Sequence, residues 1–135
     1  MFSSNKPIIQ IAYAVDNIIL AAENWSKRFN IGPFYFNEHI KVAESRINGE
    51  DNIFDHSSAY GWKENFMIEL ICDHSRVNVY DSGIHHIAWI AENFNKESEE
   101  LLKQDCREVL YARAGDRNGM RFAWFDPGKD IGHLY

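Results

Sequence analysis

A chain of 135 residues, 45% hydrophobic and 14% aromatic, is long enough for one domain with a substantial core. No apolar run approaches the roughly 20 residues of a membrane helix, and "MFSSNKPIIQ" lacks the apolar stretch of a signal peptide, so a cytoplasmic protein is expected. The net charge of −6 comes without a basic stripe, which excludes nucleic acid as the expected partner, and Cys72 and Cys106 stand alone without CxxC spacing.

In chain order, residues 8–15 alternate like a strand, and the segment that follows reads as an amphipathic helix. Ile18, Ala22, Trp25 and Phe29 are spaced for its buried face, Asp16 or Asn17 can cap it, and Gly32 marks its end. "IGPFYF" (31–36) starts a strand expected to run to about Arg46, with "NGED" (48–51) as a turn. "SSAYGW" (57–62) and "NFMIELIC" (65–72) are the next strands. "GIHHIAWIAEN" (83–93) then opens a second strand. Its helix has Phe94, Leu101 and Leu102 on one face and Asn93 or Asn95 as cap, with Glu97, Glu99 and Glu100 near its positive end. "REVLYAR" (107–113), "MRFAWF" (120–125) and "IGHLY" (131–135) complete the chain as strands.

The chain is written twice. Residues 8–27 slide onto 84–103, matching Ile8 with Ile84, Ile11 with Ile87, Ala12 with Ala88, Asn17 with Asn93, Glu23 with Glu99 and Lys27 with Lys103. Each half reads β-α-β-β-β, with module one at about 6–73 and module two at about 83–135 of a single domain, 1–135. Antiparallel strands carrying one helix per half give an α+β fold, a sheet covered on one face and open on the other.

Residue size assigns the faces. Ile9, Ile11, Tyr13 and Val15 are bulky and belong under the helix; Gln10, Ala12 and Ala14 line the concave side. The repeat equates Gln10 with His86, so His86 faces the concavity. Adjacent strand residues point to opposite faces, so His85 goes with Ile87 and Trp89 on the packing side. On "NFMIELIC", Ile68, Leu70 and Cys72 share one face and Met67, Glu69 and Ile71 the other. Glu69 is a carboxylate inside an apolar strand, a group seldom buried unless paired, hydrogen-bonded or bound to a metal.

The segments "IQIAYAVDNIILAAENWSKRFNIGPFYF", "FMIELICD", "GIHHIAWIAEN" and "RFAWFDPGKDIGHLY" resemble the vicinal oxygen chelate superfamily, which includes glyoxalase I, methylmalonyl-CoA epimerase, extradiol dioxygenases and bleomycin-resistance proteins. The resemblance implies two βαβββ modules in a curved, mostly antiparallel sheet with helices on the convex face. It implies a divalent metal (Zn²⁺, Ni²⁺, Co²⁺ or Mn²⁺) held by Gln10, Glu69 and His86. A fourth ligand, usually Glu, is implied at the position immediately after Tyr135. Gln at position 10 argues against the iron of extradiol dioxygenases, which place His there. The order Gln, Glu, His is that of glyoxalase I.

Ala14 and Asp73, however, replace the Arg and Asn that contact glutathione in that enzyme. The activity implied is a metal-dependent isomerase or lyase, with Glu69 as catalytic base, moving a proton beside a carbonyl of a small organic substrate. Pocket walls are expected from Ala12, Ala14, Ala88, Met67, Tyr35, Phe36, Arg121 and Trp124, with Arg113 and Arg121 available to an anionic substrate. The alternative is a non-enzymatic binder of drugs or aromatic compounds of the bleomycin-resistance type. No membrane partner is implied, and a homodimer is expected.

Overall fold

Two asparagines start the two helices of the computed structural model, which describes residues 6–80 and 83–135. In α1 (Ile18–Phe29) the Asn17 side chain accepts the Leu20 N–H at 3.0 Å. In α2 (Phe94–Lys103) Asn93 accepts the Lys96 N–H at 3.0 Å. α1 ends on Asn30 rather than at Gly32. Asn30 is left-handed at φ 54°, a conformation its short polar side chain tolerates. Ile18 and Ala22 are buried as expected, but Phe29 is half-exposed and leans on Trp25, and Leu102 of α2 faces solvent while Leu101 is buried.

In a five-stranded sheet β1 (Gln10–Ala14) lies between β6 (Phe66–Asp73), to which it is parallel, and β7 (Ile84–Ala88), to which it is antiparallel. β5 (His56–Lys63) pairs with β6, and β2 (Tyr35–Asn37) forms the edge. A four-stranded sheet runs β4 (Glu50–Asp51), β3 (Val42–Ile47), β8 (Arg107–Ala114), β9 (Arg121–Asp126). Residues 131–135 do not form the expected strand. Leu134 makes a single parallel bridge to His86, and Tyr135 exchanges two backbone hydrogen bonds with Phe125 at 2.8 and 2.9 Å. Those two residues join β7 to β9 and make the two sheets continuous.

The pairing register follows the internal repeat. Gln10 is opposite Met67 in one half and His86 opposite Leu134 in the other, both in parallel pairs. Between the first strands of the halves, Gln10 faces Ala88 and Ala12 faces His86, with Ile11 and Ile87 on the axis that exchanges them.

The strand expected from residue 31 to about Arg46 is broken in two. β2 sits at the outer edge of one sheet, while β3 pairs with β8 of the other half. Only residues 38–41 separate them, and the step from Asn37 to Val42 spans at most about 18 Å. The sheet therefore curls until its far edges come together. Ile40 N–H bonds to His56 O at 2.8 Å, and Gly115 N–H bonds to Lys41 O at 2.7 Å.

Ile18 and Ala22 of α1 pack on Ile31, Ala59, Ile68 and Leu70; Leu101 of α2 packs with Cys106 and Phe125, with Trp89 against them. The concave side is filled rather than open. Ala12, Phe54, Ile71, Leu110, Ala112, Trp124 and Leu134 form its core. Once the edges meet, inward side chains from facing strands touch, and contact dispersion favours a packed interior over an apolar void.

Candidate metal centre and its histidine pair

β1 sets the site. Ala12 has Glu69 beside it on β6 and His86 beside it on β7, so the small Ala12 side chain leaves the two functional groups room to meet over it. His86 Nε2 is 3.2 Å from Glu69 Oε2 and 3.3 Å from Gln10 Oε1. Gln10 Nε2 donates to Met67 Sδ at 2.9 Å, which turns its carbonyl oxygen toward His86. Ser58 Oγ donates to Glu69 Oε1 at 2.6 Å. Glu69 and His86 are each 5% exposed. The structure thus brings Gln10, Glu69 and His86 together on the inner face.

His85 does not lie on the packing face. The β1–β7 register passes from Ala12↔His86 to Tyr13↔Ile84, leaving His85 as the extra residue of a bulge. A bulge sets two residues against one and re-aims the side chain. Both imidazoles therefore turn inward, against the same Trp124 ring, at centroid distances of 4.6 Å for His85 and 5.4 Å for His86. Their Nδ1 atoms are 2.9 Å apart, and His85 Nε2 is 3.5 Å from Asp73 Oδ2.

Counting protons along this chain decides what the centre can hold. Burial pushes the Asp73 carboxyl up, but hydrogen bonds from His85, Asn78 N–H and Val77 N–H outweigh it and leave its pKa below the ordinary value, so it accepts. His85 is held neutral chiefly by burial. A neutral His85 facing Asp73 carries its hydrogen on Nε2 and accepts at Nδ1 from His86 Nδ1. Burial also raises the Glu69 carboxyl, and the His86 and Ser58 contacts more than reverse this, leaving its pKa lowered. Three ligand-type atoms meet here, with His86 Nε2 lying 3.2 Å from Glu69 Oε2 and 3.3 Å from Gln10 Oε1. A ring nitrogen flanked by a carboxylate and an amide oxygen is a ligand set for a divalent ion. Donors about 2.0–2.2 Å from a shared ion sit roughly 3.0–3.5 Å apart, and His86 Nε2 has that spacing from each of the two oxygens. An imidazole, a carboxylate and an amide oxygen suit Zn²⁺, Ni²⁺, Co²⁺ or Mn²⁺.

The surroundings differ from the expected pocket. Trp124 does face the centre, but Tyr35 and Phe36 are exposed. Arg121 lies over the Phe94 ring and bonds to Asn95, and Arg113 pairs with Glu44 at 3.0 Å. His56, Ser58 and Tyr60 instead supply the inner face of β5, opposite Asp73, Ile71 and Glu69. Their signal was the alternation of "HSSAY", in which every second residue carries a polar group.

A sheet curled around an inward-facing donor set, with one helix against each half, defines the class of fold. The family model of the glyoxalase/bleomycin resistance protein/dioxygenase superfamily matches residues 9–124, and the chain belongs to that superfamily. Among solved structures it is similar to a hypothetical protein from Bacillus halodurans C-125, with a TM-score of 0.62 and 17% identity, over 98% of this chain and 92% of that one. It is also similar to methylmalonyl-CoA epimerase from Mycobacterium tuberculosis, with a TM-score of 0.58 and 14% identity, over 99% and 88% of the two chains. A methylmalonyl-CoA epimerase in complex with methylmalonyl-CoA and NH4+ gives a TM-score of 0.57 and 16% identity, over 97% and 92%. No curated protein matches in sequence. No helix among the described residues is long and apolar enough to cross a membrane.

Proposed function

We propose that this is a metal-dependent isomerase or lyase of the glyoxalase-like type, moving a proton next to a carbonyl of a small organic substrate. The observation that carries the reading is the meeting of an amide oxygen, a carboxylate and an imidazole from Gln10, Glu69 and His86 on the inner face. A divalent ion bound there supplies Lewis-acid polarisation of a carbonyl oxygen. Glu69 takes and returns the proton at the neighbouring carbon, with Ser58 occupying Oε1 and Oε2 left toward the centre. His86 and Gln10 orient the centre, while His85 and Asp73 fix the His86 tautomer. Trp124, against both histidines, keeps water from the carboxylate. The likeness to proteins named methylmalonyl-CoA epimerase is in keeping with this reaction class.

The proposal includes one domain of two modules, 6–73 and 83–135, a homodimer, and a cytoplasmic setting, in which the free thiols of Cys72 and Cys106 are at home. The test is solvent deuterium exchange beside the carbonyl in a panel of thioesters and 2-oxoaldehydes, with metal content measured in parallel. Exchange should require a divalent ion and vanish in Glu69→Gln together with one metal equivalent. Exchange indifferent to a chelator would refute the reading. The second reading, a non-enzymatic binder of aromatic compounds, is favoured by the Phe54, Phe122 and Trp124 rings packed around the centre. It predicts tryptophan quenching by such compounds without any exchange.

A further inference from the structure

We propose that His39, Asp55 and His74 form a second divalent-metal site, at the surface and separate from the interior centre. Each offers one donor atom, and the three atoms lie within 4.8 Å of one another. They come from three places in the chain: the β2–β3 crossing, the residue before β5 and the residue after β6. His39 Nδ1 is 2.9 and 3.0 Å from the two Asp55 oxygens, and the His39 and His74 rings stack at 4.6 Å.

Two serines hold the frame. Ser57 Oγ accepts the His39 N–H at 2.9 Å and lies 2.8 Å from His74 Nε2; Ser75 Oγ accepts the Asp55 N–H at 2.9 Å. The frame is therefore fixed while the donors remain adjustable. Donors gripping one ion at 2.0–2.2 Å stand about 3.0–3.5 Å apart, so closure needs a shift of about 1 Å. The His39 side chain is 68% exposed and can turn out of the stack to make it. Two imidazoles and one carboxylate select a borderline ion such as Zn²⁺ or Co²⁺ over Mg²⁺ or Ca²⁺. Bound there, the ion clasps the β2–β3 crossing to the end of the β5–β6 hairpin.

The experiment is calorimetric titration of the full chain with ZnCl2, alongside the visible spectrum of the Co²⁺ form. Glu69→Gln, which disables the interior centre, should still bind one Zn²⁺ and gain thermal stability from it. Adding His39→Ala, His74→Ala or Asp55→Asn should weaken that ion at least tenfold and remove the Zn²⁺-dependent rise in melting temperature. His39→Ala should leave the metal-free circular dichroism unchanged, which separates ligand loss from misfolding. Unchanged affinity after removal of both histidines, or loss of all Zn²⁺ binding in Glu69→Gln alone, overturns the proposal. Should the wild-type chain bind a single ion that only the His39 and His74 changes abolish, the surface site stands and the interior reading fails.

Discussion

Beneath α1, Ile68 and Leu70 of β6 pack against Ile18 and Ala22, while on the opposite side of the same strand Met67, Glu69, Ile71 and Asp73 face histidines and aromatic rings. Alternation along one strand thus separates two environments a few ångströms apart. The outer layer is apolar, and any residue of similar size and polarity would serve it. In the inner layer a chain of polar groups depends on named partners: Ser58 on Glu69, Glu69 on His86, His86 on His85, His85 on Asp73. Packing can be exchanged residue by residue; a proton-matched chain cannot.

The sharpest way to break this contrast is Glu69→Gln. It keeps the shape of the side chain while removing the charge, and proton exchange on a competent substrate should fall about 100- to 10,000-fold, the range of a general base. Leu70→Ala, on the outer face and fully buried, should cost about 2–5 kcal/mol in urea unfolding and leave the affinity of the centre for Zn²⁺ within about threefold. A Leu70 variant that loses the metal as completely as Glu69→Gln would erase the distinction.

His56 sharpens the inner side. Burial pushes its pKa down to about 4, its Nδ1 has no partner among the described residues, and its ring stacks on Phe54. Above pH 6.5 the folded and unfolded chains both hold it neutral. Between 6.5 and about 4 only the unfolded chain takes up the proton, so stability falls as the pH falls. The His56 share should reach about 2 kcal/mol by pH 5, and His56→Phe should abolish that share in unfolding curves at pH 7 and 5. A helix cap, belonging to neither face, should matter least. Asn17→Ala is expected to cost about 1 kcal/mol with no effect on the centre.

The strand–helix repeat was legible because it rests on local periodicity, and the register that equates Gln10 with His86 is the one the structure adopts. Alternation and the repeat put Gln10 and His86 on one face, and the family resemblance added Glu69 to them. The inward turn of His85 could not be read this way, because a bulge depends on how β7 is threaded against β1, and alternation assumes an unbroken register. The passage of β3 to β8 was hidden for a similar reason. It is a pairing between residues more than sixty positions apart, and nothing near Val42 or Ala114 announces it. His39, Asp55 and His74 meet only because three chain segments end at the same corner.

That exchanged strand has a mechanical consequence. Val42–Ile47 belongs to the first half by sequence and to the second by hydrogen bonding, so neither half holds a complete sheet of its own. The halves cannot swing apart like jaws without tearing the β3–β8 ladder. Any opening of the interior therefore falls to side-chain movement rather than to rigid-body separation of the halves, and Trp124, packed on both histidines, is part of what must move.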